Sequence, residues 1–150
     1  MHDDDQSVAS LWASIRAEQG HLRALIEEAG DVDLPRRPEG GGWSVLEVLR
    51  HLLFAEQAHL GRYYGSQRDW SPLGYTPASM REARTLGPPD DGGPSAGEVL
   101  AEWRAVHERL EQALGQRDDV TIEAALQRNL RHLRAHIRSI ERALRRMTAT

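Results

Sequence analysis

In four segments of this chain, apolar residues recur at spacings of three, four and seven, which places them along one face of an α-helix. The segments span approximately residues 7–29, 44–64, 95–114 and 121–146. No segment alternates apolar and polar residues at the period of two that a half-buried strand shows. Because each helix has one apolar face to bury, the pattern predicts an all-α protein built as a four-helix bundle.

Two of the predicted helices begin with a capping box, in which a serine and a glutamate three residues later satisfy free N–H groups of the first turn. The first box is Ser44 with Glu47, and the second is Ser95 with Glu98. Glycines stand where three of the helices should end, at Gly30, Gly65 and Gly115.

The connections between the helices differ in length. About six residues join the third helix to the fourth, so we expect these two to be antiparallel neighbours. The second and third are separated by residues 65–94, enough to cross the ~30 Å length of a 20-residue helix and leave the two helices parallel. This predicts an up-down-down-up bundle, and the aromatic residues Trp70 and Tyr75 favour a packed rather than a disordered crossover.

Composition excludes several classes of protein. The length of 150 residues fits one domain, 1–150, and the net charge of −4 gives no electrostatic basis for binding nucleic acid or an anionic membrane. No apolar run approaches the ~20 residues that span a bilayer, and the N-terminal MHDDDQS lacks the basic start of a signal peptide. We therefore expect a cytoplasmic protein whose ligand is a small molecule.

Cysteine and lysine are both absent, and all 19 basic residues are arginine. Thiolate nucleophiles, cysteine zinc sites and Schiff-base chemistry are therefore excluded. A metal site in this chain would have to consist of histidine, carboxylate or backbone oxygen ligands.

The stretch RHLRAHIRSI places His132 and His136 four residues apart on the fourth helix, where two imidazoles can reach one ion. With ~100° per residue, they point roughly 100° and 60° from the direction of the apolar stripe, away from the face occupied by arginines. The spacing alone is also compatible with two partly buried polar residues. A zinc-like ion needs a third ligand, and helical phase leaves several candidates open: His21, His51, His59 and His107.

The sequence GGWSVLEVLRHLLFAE, residues 41–56, resembles the signature of the DinB/YfiT-like superfamily, in which a Trp-Ser helix start precedes a histidine in the second turn. HLRAHIRSIERAL resembles that family's last helix. The resemblance implies a four-helix bundle and a divalent metal, zinc or nickel, held by His51, His132 and His136. It also implies a low-molecular-weight thiol cosubstrate, such as mycothiol or bacillithiol, in transfer or isomerisation reactions.

These observations leave three hypotheses for the function: a metal-dependent thiol S-transferase or isomerase, a metal-binding bundle without catalysis, and a metal-dependent hydrolase. Glu56 could accept a hydrogen bond from a ligand imidazole, and Arg81 and Arg84 could bind a substrate carboxylate. Phe54 falls outside the main stripe of the second helix, so we expect it on an outward face. Together with the family resemblance, this predicts a homodimer.

Overall fold

The computed structural model describes residues 7–38, 42–63, 70–76, 94–114 and 120–148, and within these ranges it contains helices and no strand. The four α-helices are α1 (Val8–Ala29), α2 (Val45–Leu60), α3 (Ala96–Leu114) and α4 (Val120–Thr148). A short 3₁₀ turn, Gly61–Tyr63, follows α2. The all-α prediction is confirmed.

Side-chain contacts give the relative direction of α1 and α4. Glu18 pairs with Arg134, and His21, further along α1, lies 3.3 Å from Glu141, further along α4. Because the residue further along α1 contacts the residue further along α4, the two helices are parallel.

The directions of α2 and α3 follow in the same way. His51 in α2 lies beside His136, whereas His59, two turns later, contacts Asn129, so α2 is antiparallel to α4. Trp12 near the start of α1 donates to a carboxylate near the end of α3, so these two helices are antiparallel. The bundle is therefore up-down-down-up with α2 and α3 parallel, as predicted.

The prediction that the third and fourth helices are neighbours is wrong. Within the described ranges α4 packs against α1 and α2, and α3 packs against α2 and α1, which places α3 and α4 diagonally across the bundle. Residues 114–120 can span ~20 Å when extended, more than the ~14 Å diagonal of a bundle whose neighbouring axes lie about 8–10 Å apart. The short connection therefore does not force adjacency, and the burial of the apolar faces selects the neighbours instead.

The apolar stripes of the helices form one core. On α4 the buried side chains include those that define the predicted stripe, Ile122, Leu126, Leu133, Ile140 and Leu144. The arginines of the opposite face are exposed, namely Arg131, Arg134, Arg138, Arg142 and Arg145. Within the described residues, every helix falls short of the length or the apolarity that a bilayer-spanning segment requires.

The predicted capping box at the start of α2 is present and is reinforced by an ion pair. Ser44 Oγ accepts from the Glu47 N–H at 3.0 Å, and the Glu47 carboxylate accepts from the Ser44 N–H at 2.8 Å. Arg37 makes two further hydrogen bonds to the same carboxylate, at 3.0 and 2.8 Å. The start of the helix that carries His51 is thereby held in place, because the cap and the ion pair share one buried glutamate.

The α-helical part of α2 ends at Leu60, earlier than the predicted end at Tyr64, which lies outside the described residues. The chain continues as the 3₁₀ turn to Tyr63, and this turn begins at Gly61. A Cβ at this position would lie 2.6 Å from Nε1 of Trp70, so the absence of a side chain lets the crossover approach the helix closely.

The described part of the crossover, residues 70–76, packs back onto α2, which confirms a packed connection over this range. Arg50 donates to the Leu73 carbonyl at 2.7 Å and lies 3.9 Å from the centroid of the Tyr75 ring. Trp70 covers Phe54, with ring centroids 5.8 Å apart. Phe54 lies outside the buried core, as predicted, but Trp70 covers it and leaves it half-buried. The homodimer stays a prediction. Arg81 and Arg84 lie outside the described residues.

Candidate metal centre

The antiparallel packing of α2 on α4 brings three histidines together. His51, in the second turn of α2, lies opposite His132 and His136, which are one turn apart on α4. Their ring centroids are 4.5 to 5.1 Å apart, and Nε2 of His51 is 3.2 Å from Nε2 of His132. One ligand atom from each ring lies within 4.8 Å of those of the other two. We call this group the histidine cluster.

The surroundings of the cluster favour neutral imidazoles. Burial, followed by charge repulsion from His136 and His59, lowers the pKa of His51 to about 4. Burial and repulsion from the surrounding histidines likewise lower the pKa of His132 to about 4. Burial also lowers the pKa of His136. At neutral pH these rings are therefore uncharged and carry lone pairs that a cation can accept.

The spacing of the cluster fits a divalent ion with nitrogen ligands. Zinc–nitrogen bonds of about 2.0–2.1 Å place two ligand nitrogens ~3.4 Å apart in a tetrahedral site, close to the 3.2 Å between His51 and His132. Nδ1 of His51 is buried without a hydrogen-bond partner among the described residues, so no acceptor there fixes the orientation of this ring. Three imidazoles would leave at least one coordination position free for another molecule.

Of the other candidates for a third ligand, His59 lies beside the cluster and the rest lie elsewhere. The His59 ring is 5.7 Å from that of His132, centroid to centroid, but His59 is not one of the three convergent ligands. His21 lies next to Glu141 on the partly exposed edge between α1 and α4. His107 belongs to a separate buried group described next.

A second polar cluster, which the sequence pattern did not predict as a unit, lies deeper in the bundle. The carboxylate of Glu56, 1% exposed, accepts hydrogen bonds from Nε1 of Trp103, from Nε2 of His107 at 2.7 Å and from Nδ2 of Asn129 at 2.9 Å. Glu56 is thus an imidazole acceptor, but for His107 and not for a residue of the histidine cluster. The members come from three helices, so no local spacing signals them.

Glu56 is ionised in this cluster. Burial acts to raise the pKa of its carboxyl, but the charge and hydrogen bond of His107, with the hydrogen bonds of Trp103 and Asn129, outweigh burial and hold the pKa below its usual value. The indole N–H of Trp103 can only donate, which also favours a carboxylate that accepts.

A cavity of about 590 Å³ lies between the start of α2 and the end of α4, and its described lining residues do not include the three histidines of the cluster. Its wall combines the indole of Trp43 with Arg36 and Arg146, which have no ion-pair partner among the described residues. Asp33 is the one carboxylate among its described lining residues. The Trp43 ring is 6.0 Å from that of His51, so this side chain lies between the cavity and the cluster. The cavity can therefore take a molecule with an apolar part and an anionic group.

The arginine face of α4 behaves as a solvated helix surface. Arg134 pairs with Glu18 of α1 at 2.9 Å, with 47% of the arginine side chain exposed. Glu141, which has the spacing for an i, i+4 pair with Arg145, lies instead beside His21 of α1. The side chains of this face that the structure describes do not form a group that could bind a ligand together.

A comparison with protein-family models gives a match to the model of the DinB superfamily over residues 14–149, nearly the whole chain. Neither the curated proteins nor the solved structures contain a match.

Proposed function

The chain belongs to the DinB superfamily, and we propose that its histidine cluster binds one divalent metal ion, zinc or nickel. The observation that carries the proposal is the convergence of His51, His132 and His136 from two helices, with one ligand atom of each within 4.8 Å of the others. Neutral imidazoles are the ligands that such ions prefer in proteins, and the lowered pKa values of His51 and His132 keep these rings neutral.

We further propose that the protein uses the ion in a reaction of a low-molecular-weight thiol, either S-transfer or isomerisation. A divalent ion held by three neutral imidazoles supplies Lewis acidity. The chain has no cysteine, so the sulfur nucleophile must come from a cosubstrate. In the transfer reaction the thiol sulfur bonds to an electrophilic carbon, the leaving group departs with its electron pair, and the thiol proton is released.

The cavity between the start of α2 and the end of α4 supports a small-molecule substrate. Arg36 and Arg146 would hold a carboxylate or another anionic group, and Trp43 would cover an apolar part of the same molecule. In helix α2 the distance from Val45 to His51 is ~9 Å, at 1.5 Å per residue. We propose that such a molecule reaches from the arginines past Trp43 to the histidine cluster.

The metal site is tested by metal content and calorimetry. Tag-free wild type should carry close to one ion per chain by mass spectrometry. Metal-free His51→Ala and His136→Ala should bind Zn²⁺ or Ni²⁺ at least about 100-fold more weakly, because two imidazoles rarely hold such ions tightly. His21→Ala, outside the cluster, should bind like wild type. Equal binding by all four proteins would reject the assignment of these ligands.

The reaction is tested separately, with the metal-loaded protein and a panel of cellular thiols and electrophiles. Thiol consumption that requires His51 and is unaffected by His21→Ala would support the enzymatic function. Stoichiometric metal binding without turnover of any pair in the panel would instead favour a metal-binding bundle without catalysis.

A further inference from the structure

The buried Glu56 cluster is connected to the histidine cluster through two side chains. Asn129 bonds to Glu56 with one end of its amide, and the other end lies 3.0 Å from Nδ1 of His59. The ring of His59 packs against that of His132 at an interplanar angle of 86°. A continuous path of hydrogen bonds thus leads from the core of the bundle to a ring at the edge of the candidate metal site.

The direction of each hydrogen bond on this path follows from chemistry. A carboxylate can only accept, so Asn129 must turn its NH₂ group toward Glu56 and its carbonyl oxygen toward His59. The carbonyl oxygen can only accept in turn, so Nδ1 of His59 must carry a proton. In the neutral ring the other nitrogen, Nε2, is then left with its lone pair.

We infer that His59 is a hydrogen-bond acceptor for a protic ligand at the histidine cluster, and that Glu56 and Asn129 are positioning residues that hold its Nε2 unprotonated. The part of the inference that concerns the ligand rests on the proposed metal site. The tautomer of His59 does not depend on that site. The ligands of this class carry an O–H or S–H group: water, an alcohol or a thiol.

The geometry distinguishes His59 from a fourth metal ligand. His59 lies beside His132 but outside the group whose ligand atoms converge. Its Nδ1 is engaged with Asn129, so Nε2 is the ring nitrogen left to accept a hydrogen bond. A side chain placed in this way can orient a molecule bound at the cluster, because it offers an acceptor at a fixed position.

The network also predicts what happens when the carboxylate becomes an amide. In Glu56→Gln the single carbonyl oxygen should face Trp103 and His107, which both contact the same oxygen, Oε2, in the wild type. The NH₂ group then faces Asn129, whose amide must invert to accept from it. The inverted Asn129 donates to Nδ1 of His59, and the ring proton moves to Nε2.

The tautomer is measured by long-range ¹H–¹⁵N correlation spectroscopy on the metal-free protein. The wild type should show His59 protonated at Nδ1, and Glu56→Gln should show it protonated at Nε2. Glu47→Gln is the matched control, since Glu47 is an equally buried glutamate of the same helix, 2% exposed, without a contact to this path; it should retain the wild-type tautomer. A wild-type His59 protonated at Nε2, or an unchanged tautomer in Glu56→Gln, would overturn the inference.

If circular dichroism shows that Glu56→Gln does not fold, the tautomer of His59 is compared between the wild type and Asn129→Leu instead. Leucine removes the acceptor, so the proton of His59 should be shared between both nitrogens by exchange. Retention of the pure Nδ1–H tautomer in Asn129→Leu would contradict the role of Asn129.

The proposal that Nε2 of His59 accepts a hydrogen bond from a ligand is tested by adding Zn²⁺ to the wild type. The ¹⁵N resonance of His59 Nε2 should shift toward the position of a hydrogen-bonded acceptor, while Nδ1 stays protonated. An unchanged Nε2 resonance in protein that calorimetry shows to be zinc-loaded would overturn this part. Absence of zinc binding would overturn it together with the proposed function, and the metal-free spectra would still decide the tautomer.

Discussion

His51 and His107 lie on neighbouring helices, but their surroundings differ in charge. His107, 8% exposed, faces the carboxylate of Glu56, whereas His51 faces two other imidazoles. His107 donates a hydrogen bond to that carboxylate, whereas burial and the neighbouring imidazoles lower the pKa of His51. His107 therefore satisfies a buried carboxylate, and the neutral ring of His51 keeps a lone pair.

The lowered pKa values predict how the stability of the metal-free protein depends on pH. Native His51 and His132 stay neutral down to about pH 4, whereas the unfolded chain protonates them near 6.5. Between these values a fall in pH adds protons to the unfolded state alone. The free energy of unfolding contributed by the two rings is therefore present above pH 6.5 and is lost as the pH falls toward 4.

Urea denaturation of metal-free protein at a series of pH values measures this dependence. The informative window is pH 6.5 to about 5, above the range in which carboxylates titrate. There, a variant with both His51→Gln and His132→Gln should show a shallower loss of stability than wild type. His21→Gln, with half of the side chain exposed, is the control and should follow wild type. The same slope in the double variant and in wild type would contradict neutral rings in the native cluster.

Helix α2 brings together most of the interactions that position the site. Its start is held by the capping box and by Arg37, its middle carries His51 and Glu56, and its end lies under the crossover. The contact of Trp70 with Gly61 and of Gly74 with the backbone of Phe54 requires close approach of the crossover to this helix.

Two glycine-to-alanine variants distinguish the effect of helix propensity on stability from the effect of the packing of the crossover on α2. Gly20 lies within α1, and a Cβ there would meet nothing within 4 Å, so Gly20→Ala should raise the free energy of unfolding by about 0.5–1 kcal/mol. At Gly61 the added carbon would lie 2.6 Å from the Trp70 indole, and Gly61→Ala should lower that free energy by about 1–3 kcal/mol despite the better helix former.

Urea denaturation of both variants, with Trp fluorescence for Gly61→Ala, gives the comparison. Displacement of Trp70 should change the emission of the native state of that variant only. A Gly61→Ala protein as stable as Gly20→Ala would show that the crossover does not pack on α2 as described.

In the whole molecule, the histidine cluster lies between two helices that also contact each other through core packing and through the hydrogen bonds of Asn129 to Glu56 and His59. His51 comes from α2 and the other two histidines from α4, so an ion bound to all three would cross-link helices far apart in sequence. Because the cluster exists only in the folded bundle, metal binding should stabilise the native state by linkage.

The expected effect is a higher melting temperature in the presence of metal. At a free metal concentration 100 times the Kd, linkage contributes about 2.7 kcal/mol, which corresponds to a rise of roughly 5–10 °C for a chain of this length. Scanning calorimetry with Zn²⁺ or with a chelator measures it. His51→Ala should melt at the same temperature in both conditions, and His21→Ala should show the wild-type shift. An equal rise in His51→Ala would mean that the ion binds elsewhere.

Periodicity, caps and the HxxxH spacing are local properties, so the features that depend on them could be predicted from the sequence. Four helices, the capping boxes at Ser44 and Ser95, the exposed arginine face of α4 and the placement of His132 and His136 on one face all follow from contacts within about one helical turn. The length of the crossover likewise indicated that α2 and α3 are parallel.

The neighbours of each helix, and the side chains that meet between helices, could not be predicted from local spacing. Residue spacing left the third histidine open between four candidates, and the family resemblance named His51; the packing of α2 on α4 brings His51 to the pair. The tertiary structure also placed α3 diagonally from α4, packed Trp70 on Phe54, and joined Glu56 to His107 and Asn129. These contacts depend on the rotation and offset of whole helices, which are set by the burial of all the apolar faces together and not by any local spacing.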